Sequence, residues 1–231
     1  DLALRQIAVR NSKTSWFPGA DSVLFTYNLP TIPELLDAPV TKDKWKRMCK
    51  SAVESYWLEK LQEDCSSKTS LVYLQAPSSL KTHICWNTVE HNIKDVRRAT
   101  TKVRLLTRTY ILQADRVRFN QNEIDRTCQL CGADDETYQH FLLECEELSS
   151  ARVAPIERIV DLLRRDANVD WKELNEQSKL QIILDCSKMH ASRELVCKTS
   201  VLDAIECETR RLCYSLHCRR TYLMDRKKSC K

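Results

Sequence analysis

Apolar side chains recur every three or four residues in several stretches of the chain, which is the periodicity of an amphipathic helix. The first long stretch predicts a helix from Thr41 to about Cys65, and its apolar face consists of Trp45, Met48, Cys49, Ala52, Tyr56 and Leu61. Shorter apolar patterns lie before it, in residues 2 to 10 and 20 to 28. Thr31 and Glu34 have the spacing of a capping box and predict the start of a further helix.

A second long stripe predicts a helix that begins at Asn92, a residue type that favours N-terminal caps. Its expected buried positions are Ile93, Val96, Ala99, Val103, Leu106 and Tyr110. Further helices are predicted around residues 155–165, around 180–184 and from about 192 to 226. The last of these carries Leu195, Leu202, Ile205, Leu212 and Leu216. The short apolar segments 71–74 and 84–86 fit either extended structure or packing beneath the helices.

Composition supports helix almost throughout, because only two glycines and six prolines interrupt 231 residues rich in helix-forming side chains. The predicted fold class is therefore all-α, with helical bundle-like segments around a small metal-binding module. No apolar run has the length of a membrane span and no signal peptide is recognisable, so we expect no membrane partner. Twelve cysteines in such a charged, helical chain fit a reducing compartment, which here means cytoplasm and nucleus. Since the chain begins with Asp1, we interpret it as a fragment of a longer protein.

The strongest chemical signal is the segment TCQLCGADDETYQHFLLEC, which contains Cys128, Cys131, His140 and Cys145. Three thiolates and one imidazole complete a closed tetrahedral Zn²⁺ site and leave no coordination position open for catalysis. Gly132 follows the second cysteine, where a tight turn needs the conformational freedom of glycine. The segment around His140 and Cys145 has the pattern of a helix. We therefore predict Zn²⁺ as a structural cofactor.

A strongly basic helix and connector precede this metal segment. Residues 94 to 118 hold eight basic side chains against Asp95 and Asp115, and the eight are Lys94, Arg97, Arg98, Lys102, Arg104, Arg108, Arg116 and Arg118. Lysine and arginine neutralise phosphates and release counterions, so the cluster predicts a nucleic-acid contact. A solvated charged face without a ligand is the alternative. Tyr110 and Phe119 can stack on bases, although Tyr110 belongs to the apolar stripe and is the better candidate for the core.

Other candidate chemistry is weaker. Asp134 and Asp135 follow Gly132 in a polar loop and lack the apolar strand hairpin of a polymerase metal site, so we interpret them as a surface turn or a helix cap. A second metal site built from Cys186, His190, Cys213 and His217 stays an open alternative to ordinary buried thiols, because each pair has helical i, i+4 spacing. Neither a nucleophile with its base nor a phosphate-binding glycine loop is recognisable. We expect no catalytic residue and no enzymatic activity from this chain alone.

Residues 104 to 145 closely resemble the C-terminal region of reverse transcriptases encoded by non-LTR (LINE-type) retrotransposons of the jockey and CR1-like groups. Looser resemblance extends to the opening LALRQIAVRNS, to KSAVESYWLEKLQ and to the tail ETRRLCYSLHCRR. The resemblance implies a zinc module that helps an RNA-directed DNA polymerase engage RNA or DNA in target-primed reverse transcription. It also implies that the polymerase core of the same polyprotein is a partner. At Arg108 the family pattern has glycine, which is a departure of this chain.

These inferences divide the chain into four predicted regions. Residues 1–90 form a helical region that follows an absent polymerase thumb, and residues 91–127 form the basic helix and connector. Residues 128–150 form the zinc-binding module, and residues 151–231 form a helical tail. The expected function is non-catalytic nucleic-acid binding. The alternative is a zinc-stabilised, helical protein-interaction domain without direct nucleic-acid contact, since acidic residues between 134 and 147 repel phosphate.

Overall fold

A computed structural model describes Arg5 and residues 16–118, 125–188 and 199–229 of the chain. Its helices are α1 Phe17–Thr26, α2 Ile32–Asp37, α3 Lys42–Ser67, α4 Ile84–Asn87, α5 Ile93–Leu106, α6 Gln113–Arg118, α7 Ser149–Ala167, α8 Glu176–Leu184 and α9 Thr199–Ser229. Within these described ranges the extended structure is limited to an isolated bridge between Thr127 and Asp135. The predicted all-α class is confirmed. None of the described helices is long and apolar enough to cross a membrane.

The smaller of two compact units comprises residues 1–64 and 76–81. The predicted capping box is confirmed there, because the Glu34 carboxylate accepts the backbone N–H of Thr31 at 2.7 Å and the Thr31 hydroxyl accepts the N–H of Glu34. Helix α3 confirms the predicted helix after Thr41. Its six predicted apolar positions are half-buried, and no residue of α3 is fully buried. The predicted helix at residues 2 to 10 lies outside the described residues, apart from Arg5.

The larger unit comprises residues 65–75 and 82–231 and contains the main core. Helix α9 packs along α7 and α5, and it buries the predicted apolar positions Leu202, Ile205, Leu212 and Leu216. Leu195 and the predicted start of this helix at Ser192 lie outside the described residues. Helix α8 buries the predicted Leu180, Ile183 and Leu184. The metal segment contributes to the same core through Leu130, Tyr138, Phe141, Leu142 and Leu148.

Both short apolar segments place a side chain in the core instead of being extended, since residues 72 and 73 form a turn and residues 84–86 are helical. Residues Thr69–Leu71 form a 3₁₀ turn that leads to the buried Tyr73. Residues Ile84–Asn87 form the one-turn helix α4, which buries Cys85 against α5 and α9.

Helix α5 begins as predicted, because the Asn92 side chain accepts the backbone N–H of Asp95 at 2.8 Å. The predicted buried stripe is partly wrong, since Ile93 and Val96 are exposed. The buried face of α5 instead consists of Asp95, Ala99, Thr101, Lys102, Leu105 and Leu106. The helix is rotated from the expected orientation because α9 brings charged partners for the polar members of this face.

Those charged partners are Glu206 and Arg210 of α9. Lys102 Nζ donates to Glu206 Oε2 at 2.5 Å and to Thr209 Oγ1 at 2.6 Å, and neither charged side chain is exposed. Arg210 lies 3.3 Å from the Asp95 carboxylate and donates to the carbonyl oxygen of Cys85 at 3.0 Å. Two oppositely oriented ion pairs therefore replace apolar contacts at the centre of the α5–α9 interface.

Candidate metal centre

The first two cysteines lie in a knuckle-shaped turn between Thr127 and Asp135. The N–H of Cys128 donates to Asp134 O at 2.7 Å, and the N–H of Gly132 donates to Cys128 O at 2.8 Å. Gly132 has φ +71°, which confirms the predicted need for glycine in this turn. A Cβ atom at Gly132 would meet nothing within 4 Å, so the constraint is the backbone conformation and not space.

The four predicted ligands converge on one point. Their candidate ligand atoms, from Cys128, Cys131, His140 and Cys145, all lie within 4.8 Å of one another. Cys131 Sγ is 3.3 Å from His140 Nε2, and Cys128 Sγ is 3.9 Å from Cys145 Sγ. Zinc bonds of about 2.3 Å to sulfur and about 2.0 Å to nitrogen place tetrahedral ligands about 3.8 Å (S to S) and about 3.5 Å (S to N) apart. The observed separations therefore fit a zinc ion held by three sulfurs and one nitrogen.

His140 reaches the centre from a short π-helical turn, His140–Glu144, rather than from the regular helix that the sequence predicts. Its Nδ1 atom is buried and lies 3.9 Å from carboxylate oxygens of Asp134 and Glu144. Nδ1 has no hydrogen-bond partner among the described residues, whereas Nε2 faces Cys131 Sγ and is therefore the nitrogen positioned to bind a metal. Cys145 follows the turn directly, and its N–H donates to His140 O at 2.7 Å.

The thiols differ in their electrostatic environment. Burial raises the pKa of Cys128, and burial together with the neighbouring Cys128 raises the pKa of Cys145 to about 12. Burial also raises the pKa of Cys131, but the N–H groups of Ala133 and Asp134 outweigh this effect and the net pKa is lowered. Metal binding requires the thiolate form of all three cysteines, so binding is coupled to the release of protons from the centre.

Basic side chains of α7 and α9 support the backbone around the ligands. Arg152 of α7 donates to Leu142 O at 3.0 Å and to Cys145 O at 2.9 Å. Lys227 of α9 donates to Gln129 O at 2.7 Å and to Leu130 O at 2.8 Å, inside the knuckle. The Lys227 contact has no sequence signal, because Lys227 and Gln129 are 98 positions apart.

A buried ion pair fixes the metal module to α9 and to the basic region. Glu136 is only 1% exposed and accepts two hydrogen bonds from Arg220, at 2.7 and 2.9 Å. The same carboxylate accepts the N–H of Gln113 at 2.9 Å, at the start of α6. Arg220 and Lys227 belong to the basic end of the predicted tail helix, and both act here as structural contacts.

The predicted nucleic-acid contacts are distributed over different environments. Four of them are exposed and have no carboxylate partner in the described part of the chain: Lys94, Arg97, Arg104 and Arg116. Arg98 is half-buried beside Asp95, at 3.5 Å, and Arg108 lies near the rings of Tyr73 and Tyr138. The side chain of Arg118 lies outside the described residues. Lys102 is wrong as a surface contact, because it is fully buried in the ion pair with Glu206.

Arg108 has φ +51°, the left-handed conformation that glycine favours. The N–H groups of Thr109 and Tyr110 both donate to Arg104 O at 2.9 Å and so end α5 at this point. The resemblance expects glycine at this position, and the backbone conformation is the one that glycine adopts most easily. Arg108 therefore carries a conformational cost that glycine would not have.

Tyr110 is buried, as expected of a core residue. Its ring stacks on Phe141 of the metal module with centroids 5.5 Å apart, and its hydroxyl lies 3.0 Å from His217 Nδ1. The carbonyl oxygen of Tyr110 accepts the Tyr138 hydroxyl at 2.8 Å. Phe119, the other aromatic candidate for stacking on bases, lies outside the described residues.

The other candidate residues are the two aspartates that follow Gly132 and the members of the alternative second metal site. Asp134 and Asp135 lie in an exposed turn, and Asp135 pairs with Arg126 at 3.0 Å, which confirms the expected surface turn. His190 of the alternative second metal site lies outside the described residues. Among the described side chains, groups of three or more potential metal ligands reduce to the quartet at Cys128.

Comparison with known proteins gives no match to a family model, to a curated protein or to a solved structure.

Proposed function

We propose that this chain is a non-catalytic, nucleic-acid-binding region of a retrotransposon reverse transcriptase, in which a structural zinc ion fixes a basic surface. In this proposal the surface positions template RNA or target DNA for target-primed reverse transcription. The observation that supports it most directly is the set of exposed, unpaired cations on α5 and α6, beside a Cys₃His centre. The resemblance of residues 104 to 145 supplies the parent protein.

Zinc has a structural role in this proposal. Cys128, Cys131, His140 and Cys145 would hold the ion, and four protein ligands leave no position for a reacting water. The ion would crosslink the knuckle to the π-helical turn. The ion would therefore stabilise the fold, and we propose no reaction on this chain.

The metal module is connected to the basic helix by short contacts, which makes the two one functional surface. Tyr110, four residues after the end of α5, stacks on Phe141 next to His140. Gln113, at the start of α6, donates to Glu136 between the second and third ligands. Loss of the metal would therefore disturb the positions of Arg104 and Arg116, which flank these contacts.

The test is the salt dependence of binding to a DNA duplex and to a single-stranded RNA, with zinc-loaded protein. Arg97→Ala with Arg104→Ala removes two exposed cations and should lower the slope of log affinity against log salt by about 1.4 to 1.8. The matched control is Arg164→Ala with Lys172→Ala, which removes two exposed cations from outside the basic helix. Equal effects of both variants, or protein without stoichiometric zinc, would refute the proposal.

The alternative, a protein-interaction domain, is favoured by one observation. The side chains of Asp134 and Glu144 are 73% and 42% exposed beside the metal centre, and Glu146 and Glu147 are exposed as well. This side of the module repels phosphate and suits a basic protein partner. Affinity for nucleic acid that is already negligible at low salt would favour this alternative.

A further inference from the structure

A cavity of about 320 Å³ lies beside the metal module, at the end of α5. Tyr73, Arg108 and Tyr138 form part of its wall, and Arg126 and Gln177 line it as well. The Arg108 guanidinium lies 5.8 Å from the ring centroid of Tyr73 and 5.5 Å from that of Tyr138. The volume of the cavity is in the range of small-molecule sites, and the lining of the cavity combines cations, amides and aromatic rings.

Arg108 has the features of an anion-binding group. Its Nε atom is buried without a hydrogen-bond partner in the described residues, and none of the described carboxylates forms an ion pair with it. The two tyrosine rings stabilise the cation, but they do not neutralise it. A planar guanidinium in this state is suited to a phosphate group, which it can bind through two parallel hydrogen bonds.

The other charged groups of the cavity agree with such a ligand. Arg126 pairs with Asp135 at 3.0 Å, but both side chains are about half exposed, so this pair is weak and a phosphate can compete for the guanidinium. Asp115 is the one carboxylate among the described lining residues, and it accepts the N–H of Leu112 at 3.2 Å. A phosphate would therefore bind on the side of the two arginines.

We propose that this cavity binds one nucleotide unit of a single-stranded nucleic acid, with its phosphate on Arg108 and Arg126. The inference rests on the proposed function and adds to it a preference for single strands, because a paired and stacked base cannot enter a cavity of this size. The cavity depends on the metal, since Tyr138 and Gln139 directly precede the ligand His140. Zinc would then control both the shape of the cavity and the basic surface.

The test uses a nucleoside 5′-monophosphate, inorganic phosphate and the unphosphorylated nucleoside as separate probes of the zinc-loaded full chain. Binding is followed by calorimetry and by the NMR shifts of the Tyr138 and Gln139 amides. The key variant is Arg108→Asn, because asparagine tolerates the left-handed backbone conformation that this position requires. The matched control is Arg164→Gln, which removes an exposed cation from α7, outside both the cavity and the basic surface.

We expect the monophosphate to shift both amides and to bind at least tenfold more weakly to Arg108→Asn, a difference of about 1.4 kcal/mol. The Arg164→Gln protein should bind it like the unchanged chain. The proposal is overturned if the monophosphate binds no better than inorganic phosphate, since the base then adds nothing. It is also overturned if Arg108→Asn, with its unfolding midpoint preserved, binds as tightly as the unchanged chain.

The result separates this inference from the proposed function. In one outcome, duplex binding depends on salt and on Arg97 and Arg104, and the monophosphate does not bind. This outcome would support the basic surface and refute the cavity as a nucleotide site. In the opposite outcome, the monophosphate binds through Arg108, and Arg97→Ala with Arg104→Ala does not change the affinity for long nucleic acids. This outcome would support the cavity as a nucleotide site and refute the basic surface as a nucleic-acid contact.

Discussion

Replacement of Lys102 by methionine tests whether this lysine is buried in an ion pair, as the structure shows, or exposed on the surface of the basic helix. Lys102 is fully buried and donates to Glu206 and Thr209, so Lys102→Met removes the cation and leaves the Glu206 carboxylate in the core. Methionine retains most of the aliphatic chain, so the main effect is electrostatic. If Lys102 were a surface contact, the same change would be nearly neutral for stability.

The magnitude follows from the burial of both partners. Although desolvation on burial lowers the pKa of Lys102, the Glu206 carboxylate outweighs it and holds that pKa above its ordinary value, so the pair is charged. Removal of one partner from a buried pair typically costs about 3–5 kcal/mol. Domains are stable by only about 5–15 kcal/mol, so this is a large fraction of the total. For a chain of this size the cost corresponds to a fall in Tm of roughly 6–20 °C.

Urea unfolding of zinc-loaded protein is the appropriate assay, with Lys94→Met as the control because Lys94 is exposed on the same helix. The double variant Lys102→Met with Glu206→Met should recover most of the loss, since two apolar side chains of similar volume often replace a buried pair without net cost. A loss below about 1 kcal/mol for Lys102→Met would refute the buried pair. Lys102 would then return to the set of candidate nucleic-acid contacts.

Three other predictions concern the metal module and its neighbours. Removal of zinc by a chelator should lower the unfolding midpoint by more than 10 °C or so, because structural zinc contributes on the order of 10 kcal/mol, and an unchanged midpoint would contradict a structural ion. Arg108→Gly should be more stable than Arg108→Ala by about 1 kcal/mol in urea unfolding, because only alanine has a Cβ that opposes a positive φ; equal stability would contradict the conformation. Burial has the largest effect on the pKa of His217 and lowers it, and the positive charges of Arg104 and Arg220 lower it further. The stability that the neutral His217 side chain contributes is therefore present above about pH 6.5 and is lost as the pH falls through the lowered pKa. His217→Asn should reduce this part of the pH dependence of unfolding, and an unchanged profile would contradict the shift.

The sequence predicts those features that depend on neighbours along the chain. The Asn92 cap, the Thr31–Glu34 capping box and the turn at Gly132 are all local, and each is confirmed. The metal quartet is also recognisable, because two of its ligands are three residues apart and all four fall within 18 residues.

The sequence does not predict which cations are buried, because their partners are distant in the chain. Lys102 pairs with a residue 104 positions away, and Arg220 with one 84 positions away. Periodicity assigns a lysine between apolar positions to the solvent face, and only the approach of α9 reverses that assignment. The same limitation applies to the orientation of α5, since the exposed Ile93 and Val96 have the spacing of core residues.

The number of exposed cations in residues 94 to 118 limits how strongly the nucleic-acid affinity of this segment can depend on salt concentration. Each phosphate contact on a duplex contributes about 0.9 to the slope of log affinity against log salt, so the eight basic residues of the segment would give a slope of about 7 if all made contact. Lys102 is buried and Arg98 lies beside Asp95, whereas Lys94, Arg97, Arg104 and Arg116 are exposed. Contact by these four predicts a slope of about 3.6 for duplex DNA. A measured slope near 7 would show that cations outside this surface contribute, and a slope near zero would show that the surface does not contact phosphate.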